Sequence, residues 1–164
     1  MGPTAISLEP PEMPPPADCV AAARSLRTGT ALPITDYVDI RYPPDTTIAA
    51  EGRPSGHAEV KAWFRMRDGR EPDPFMLFLA VDGFAPAILE LGLRGWSPTI
   101  ELTVQVRAHP SPGWLRVVRR THALRNGYFE EDAEIWDAAD QLVAQARQLA
   151  RLGPEIAGVV PFNS

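Results

Sequence analysis

At 164 residues and 45% hydrophobic content, the chain has the size of one ordinary domain and enough apolar material to bury a real core. Its formal net charge of -5 argues against nucleic-acid binding, which needs clustered cations to displace counterions, and suits an uncharged or mildly acidic ligand. A solitary cysteine, Cys19, can make neither an internal disulfide nor a multi-cysteine zinc site, and its isolation fits a cytoplasmic protein.

The first elements are set by proline. Pro3, Pro10, Pro11, Pro14, Pro15, Pro16 and Pro33 fall in residues 1–33, where missing amide donors oppose helix and ladder pairing. This stretch reads as a Pro-rich linker or extended leader, with room for a helical turn at Ala17 to Arg24, and it lacks the basic-then-apolar pattern of a signal peptide. A folded domain is expected over 34–155, followed by a tail over 156–164. "DYVDIRY" (36–42) opens the domain as a strand. In "HAEVKAWFRMR" (57–67), Val60, Ala62, Phe64 and Met66 alternate with polar or larger neighbours, the period of a half-buried strand.

Asp73 followed by Pro74 is helix-start chemistry: a side-chain acceptor at the N-cap, then a residue with no amide proton at the first helical position. The run it opens, "PFMLFLAVDGFAPAILELG" (74–92), is apolar nearly all round, which predicts a helix buried on most sides. Pro86 cannot donate to the carbonyl of Asp82, so a kink or break is expected near Asp82. Broken by Asp82, Gly83 and Pro86, the run falls short of the roughly 20 residues of a membrane helix, and no membrane association is expected.

"TIELTVQVR" (99–107) alternates again, with Ile100, Leu102, Val104 and Val106 on one face and Thr99, Glu101 and Thr103 on the other. Next, Asn126-Gly127 is a type I′ hairpin signal. Counting back from a two-residue loop pairs Arg125 with Tyr128, Leu124 with Phe129, His122 with Glu131, Arg119 with Glu134, Val118 with Ile135 and Arg116 with Asp137. The last strand, "QLVAQARQLARL" (141–152), sets Gln148 among Leu142, Ala144, Ala146 and Ala150, a polar residue on an apolar face. The order of elements points to an α+β architecture, a long antiparallel sheet wrapped around one central apolar helix: the hot-dog fold.

"LAVDGFAPAILELG", "GWSPTIELTVQVRAHPSPGWLRV" and "EEDAEIWDAADQLVAQARQLARL" together resemble the C-terminal half of the acyl-CoA thioesterase II family, whose members carry two hot-dog units in one polypeptide. The likeness covers roughly residues 36–153. It implies hydrolysis of a fatty or related acyl thioester, with catalytic roles falling by motif position on Asp82, Thr99 and Gln148. Asp82 would be the base that takes a proton from water; Thr99 and Gln148, each able to donate and accept, would hold that water. Amides exposed after the helix break would stabilise charge on the thioester oxygen. Each residue also has a plainer use: Asp82 as the cap of the segment after the break, Thr99 as a strand-favouring surface residue, Gln148 bonded to backbone. For Thr99 to reach Asp82, the chain near Pro98 must bend or bulge.

No Gly-x-Ser-x-Gly elbow, phosphate loop or metal spacing among His57, His109 and His122 is present, so neither a cofactor nor a metal is expected. Arg116, Arg119 and Arg120 read as hairpin ion-pair partners rather than a coenzyme A clamp. With one unit where the family carries two, a homodimer or pairing with another hot-dog unit is expected. The alternative function is a noncatalytic acyl-binding or assembly subunit that lacks its partner half.

Overall fold

The computed structural model describes residues 8–22, 33–46, 53–83, 85–93 and 96–153. The expected tail over 156–164 lies outside them, as do 1–7 and 23–32 of the leader.

Eight strands form one antiparallel sheet: β1 (Val20–Ala21), β2 (Val38–Tyr42), β3 (Glu59–Met66), β4 (Thr99–Val106), β5 (Leu115–Arg120), β6 (Leu124–Arg125), β7 (Tyr128–Trp136) and β8 (Leu142–Arg151). Their spatial order is β1-β2-β3-β5-β7-β8-β4, with β6 paired to β7. The helix α1 (Pro74–Asp82) packs on one face, giving the hot-dog arrangement expected from the pattern of elements. The inward row of each strand follows from its alternation: Val60, Ala62 and Phe64; Leu115 and Val117; Ala133 and Ile135; Ala144 and Ala146. These close on Met76, Leu77, Ala80 and Val81 of α1. A fully buried Leu or Phe contributes about 1.5–3 kcal/mol, so this layer carries most of the drive to fold.

The N-cap of α1 forms as the sequence predicts, with Asp73 Oδ1 accepting from the Met76 amide at 2.8 Å. The helix ends at Asp82, and a 3-10 turn over Ala87–Leu91 follows the break around Pro86. By length and hydropathy alone, Pro74–Leu91 could pass for a membrane span. The break leaves a helix of nine residues, about 13 Å of rise, against a hydrocarbon core of about 30 Å.

Burial of α1 is one-sided. Phe75 is 83% exposed, Phe78 49% and Leu79 37%, and with Asp82 they form a stripe at helical spacing on the side away from the sheet. An all-apolar composition cannot show which face the sheet takes, so the expectation of burial on most sides is corrected here.

The hairpin turn is as expected: Asn126 and Gly127 both have positive φ (53° and 78°), and Arg125↔Tyr128 and Leu124↔Phe129 pair. Beyond them the register differs from a straight count. Arg120 pairs with Asp132, so the three residues Thr121–Ala123 stand opposite two, Glu130 and Glu131. The Thr121 amide is drawn to the Ala58 carbonyl, toward β3 and away from β7. Consequently Arg119 lies opposite Ala133 rather than Glu134, and Val118 opposite Glu134 rather than Ile135. His122 meets Asp132 at 3.6 Å, not Glu131.

Part of the leader belongs to the folded body. Its prolines give way to Val20–Ala21, which has the amides a ladder needs and pairs with β2. Upstream, Trp63 Nε1 donates to the Pro14 carbonyl at 2.8 Å and Arg41 Nη1 to that of Pro16 at 3.0 Å. The helical turn anticipated at Ala17 to Arg24 is not found in the described part of that range: a 3-10 turn over Pro16–Asp18 is followed by the strand at Val20–Ala21.

Candidate active site

Gln148 sits on the inward row of β8 between Ala146 and Ala150, whose small side chains leave its amide room, and it is 7% exposed. Its neighbours across the sheet are Leu102 on β4 and Glu131 on β7. The second expected residue reaches it through a bulge. Thr99 pairs with Ala150 but Glu101 with Leu149, so one extra residue, Ile100, is accommodated between them. Strict alternation would turn Thr99 toward the outer face. The bulge brings it to the row of Gln148, whose Nε2 donates to Thr99 Oγ1. Thr99 is therefore not the outward-facing residue that its parity predicts.

Asp82 stands at the end of α1, exposed, with no hydrogen bond from the described residues. Its burial was expected and is not found: at seven residues from Phe75 it continues the outward stripe. The structure joins Thr99 to Gln148 and leaves Asp82 outside that bonded pair.

Two charged residues without a catalytic assignment complete the cluster. Arg119, 3% exposed, and Glu131, 1% exposed, form an ion pair on the inner face, and Arg119 Nη2 also donates to Gln148 Oε1 at 2.8 Å. Glu131 Oε2 accepts the Ala87 amide at 2.5 Å, just past the helix break. A break in a helix frees amides that must be satisfied when buried. Glu131 takes one, and the Tyr42 hydroxyl lies 3.5 Å from the Ala85 amide. These amides thus have acceptors within the chain, which removes Ala87 from the expected oxyanion donors. Burial pushes the Glu131 carboxyl upward, against the opposing pull of Arg119 and the Ala87 amide, and burial raises the Tyr42 phenol strongly.

The signal for Glu131 was present in β7: residues 129, 131, 133 and 135 share parity, and Phe129, Ala133 and Ile135 are all buried. Arg119 carried the same signal in β5, where it shares parity with the buried Leu115 and Val117. Arg116 and Arg120 are ion-paired, but Arg116 with Asp140 and opposite Trp136 rather than with Asp137, and Arg120 with Glu59 on β3 as well as with Glu134 across the hairpin. Among the described residues no group of three or more His, Cys, Asp or Glu side chains gathers as a metal site would require.

The cluster forms a polar seam between two apolar groups. On one side are the residues packed on Leu77; on the other Ile88, Leu93, Phe129 and Ala150. A hot-dog domain with polar side chains gathered opposite its helix break is the class that fold and site define. The chain belongs to the family described as "Acyl-CoA thioesterase C-terminal domain", which it matches over residues 11–152. It is similar to a crystal structure from Thermobifida fusca YX assigned as a thioesterase II, with 32% identity and a TM-score of 0.77, over 93% of this chain and 57% of that one. A hot-dog protein of unknown function from Alicyclobacillus acidocaldarius shares the fold, with 22% identity and a TM-score of 0.78, over 98% of this chain and 59% of the other. An uncharacterized protein of Mycobacterium tuberculosis H37Rv is 37% identical over 102 residues, 62% of this chain and 34% of the relative. The chain thus spans about a third of the length of that curated relative, and just over half that of the two solved structures.

Proposed function

We propose that this domain hydrolyses acyl thioesters, with a fatty or related acyl-CoA as substrate and water as the acyl acceptor. The observation that carries the reading is the Thr99–Gln148 hydrogen bond on the inner face, formed only because β4 bulges. Water held there bonds through oxygen to the acyl carbon, the carbon–sulfur bond breaks, and the proton removed by Asp82 passes to the departing thiolate. The products are a carboxylic acid and a thiol.

Asp82 stands in open solvent at the end of α1, and a cover that excludes bulk water would leave it one oriented water to act on. The stripe of Phe75, Phe78, Leu79 and Asp82 supplies a reason for a second hot-dog unit to cover it, either a second copy or another chain. Pairing would bury the phenylalanines and desolvate the acid together.

The exposure of Asp82 also favours a second reading, a noncatalytic acyl-binding or assembly subunit. Thiol release from acetyl-, hexanoyl-, decanoyl- and palmitoyl-CoA, run alongside sedimentation of the same sample, separates the two. Hydrolysis requires that Asp82→Asn lower kcat by about a hundredfold or more in the associated protein. Thiol release at the uncatalysed rate from both the native chain and Asp82→Asn leaves the noncatalytic subunit.

A further inference from the structure

The hydrogen bonds of the seam have a direction, and Arg119 sets it. A guanidinium has donors only, so the atom of Gln148 that faces Arg119 Nη2 at 2.8 Å must be the carbonyl oxygen. The two ends of an amide are alike in shape, and the neighbour decides which way it points. With its oxygen committed to Arg119, Gln148 turns its NH2 to Thr99 and donates to Oγ1. A hydroxyl that accepts from Gln148 keeps its own proton to give elsewhere. Turned the other way, the amide would absorb that proton within the protein.

Arg119 is itself held. Glu131 pairs with it, and Glu131 is tied to the Ala87 amide at the break. Exposure rises along the chain of bonds, from 1% at Glu131 and 3% at Arg119 to 7% at Gln148, ending at exposed Thr99. The inner end is anchored and the outer end is open to a ligand. A buried ion pair on an apolar face contributes little stability compared with a hydrophobic pair of the same volume, so its presence here points to a role beyond packing.

We propose that Arg119, fixed by Glu131, is a positioning residue: acting through Gln148, it commits the Thr99 hydroxyl to donate toward the reacting water. This rests on the hydrolase reading above. The water then accepts from Thr99 through one lone pair, gives a proton to the base and keeps the other lone pair for attack.

The test uses the full chain in its associated state, the same acyl-CoA panel, and 15N NMR of the Gln148 side-chain amide. The double variant Arg119→Met/Glu131→Leu removes both charges together, avoiding an unpaired one. Arg119→Lys retains a donor-only neighbour. The double variant is expected to lower kcat by about tenfold or more with KM within about twofold, and Arg119→Lys to recover most of the loss. The Gln148 amide protons should be separated and protected in the native protein and in Arg119→Lys, and averaged in the double variant. An unchanged kcat in the double variant overturns the positioning role while the hydrolase reading stands. An unchanged Gln148 amide overturns the polarity assignment itself. A native protein that cleaves none of the thioesters, yet shows the amide ordered and then released in the double variant, defeats the hydrolase reading and leaves the polarity standing.

Discussion

Along β7 the inner face changes character within two residues. Ala133 and Ile135 lie in the apolar layer around Leu77, while Glu131, on the same row, is paired with Arg119 and linked through it to Gln148. The apolar part is built by the inward rows of alternating strands. The polar part takes Arg119, Glu131 and Gln148 from those same rows and adds irregular backbone in two places, the bulge of β4 that brings Thr99 inward and the break after α1 that presents the Ala87 amide to Glu131. Regular rows thus set three polar side chains against the core while irregular backbone supplies the groups at either end of their chain of bonds, and the two parts should respond to substitution in different ways.

The largest effect is expected at the seam. Arg119→Met leaves Glu131 buried without its cation and should cost about 4 kcal/mol at neutral pH, read from denaturant unfolding. Burial already raises the Glu131 carboxyl on folding. An acid raised in this way favours the fold when protonated, so the cost should be full above its folded-state pKa and fade as pH falls through it. A loss that stays constant down to acid pH would mean that Glu131 is not the residue left stranded.

Leu77→Ala probes the other part. Leu77 is fully buried, and its loss should cost about 3 kcal/mol through transfer and cavity terms. No titratable group takes part, so this cost should not vary with pH, and the Gln148 amide signals should survive. If they vanish, the seam is not independent of the apolar layer, and the contrast between the two parts fails.

The contrast also explains what could be read in advance. β2, β3, β8, the Asn126-Gly127 turn and the Asp73-Pro74 cap are local patterns, each fixed by a few neighbouring residues. Gln148 stood out because its strand alternates regularly. Thr99 took the wrong face, and Arg119 the wrong partner, in a straight count because an extra residue in a strand or connection has no side-chain signature of its own. Asp82 was expected inside because helix composition does not say which side meets the sheet. Glu131 had the correct parity in β7, but the unbulged register assigned it to His122 as an ion-pair partner.

A smaller effect, which also fades in acid but through a carboxyl shifted the other way, is expected at the β7–β8 turn. Asp137, fully buried, accepts the amides of Ser111, Ala139 and Gln141, each at 2.9 Å. Burial raises its carboxyl, but these hydrogen bonds outweigh that and hold it below its ordinary value. An acid depressed on folding stabilises while ionised, and that contribution disappears as pH falls through the folded-state pKa. Asp137→Asn should therefore cost about 1–2 kcal/mol at neutral pH, and thermal melts of variant and parent should converge in acid. Divergence in acid would assign the turn's stability to something other than this carboxylate.

The smallest expected effect lies across the sheet from both regions, where the leader docks. Trp63 donates to the Pro14 carbonyl from the outer face, and Arg65 stacks over the Trp114 ring at 4.2 Å beside it. Trp63→Phe keeps an aromatic ring but removes the donor, a change of about 0.5–1 kcal/mol at so open a site. Hydrogen exchange should rise at Val20 and Ala22, whose amides face β2 in the ladder that continues from the docked leader, while the amides of β7 and β8 stay protected. Equal exchange gains on both faces would mean that the leader supports the core as a whole. In that case the inner face could not be treated as two separable parts without counting what lies behind it.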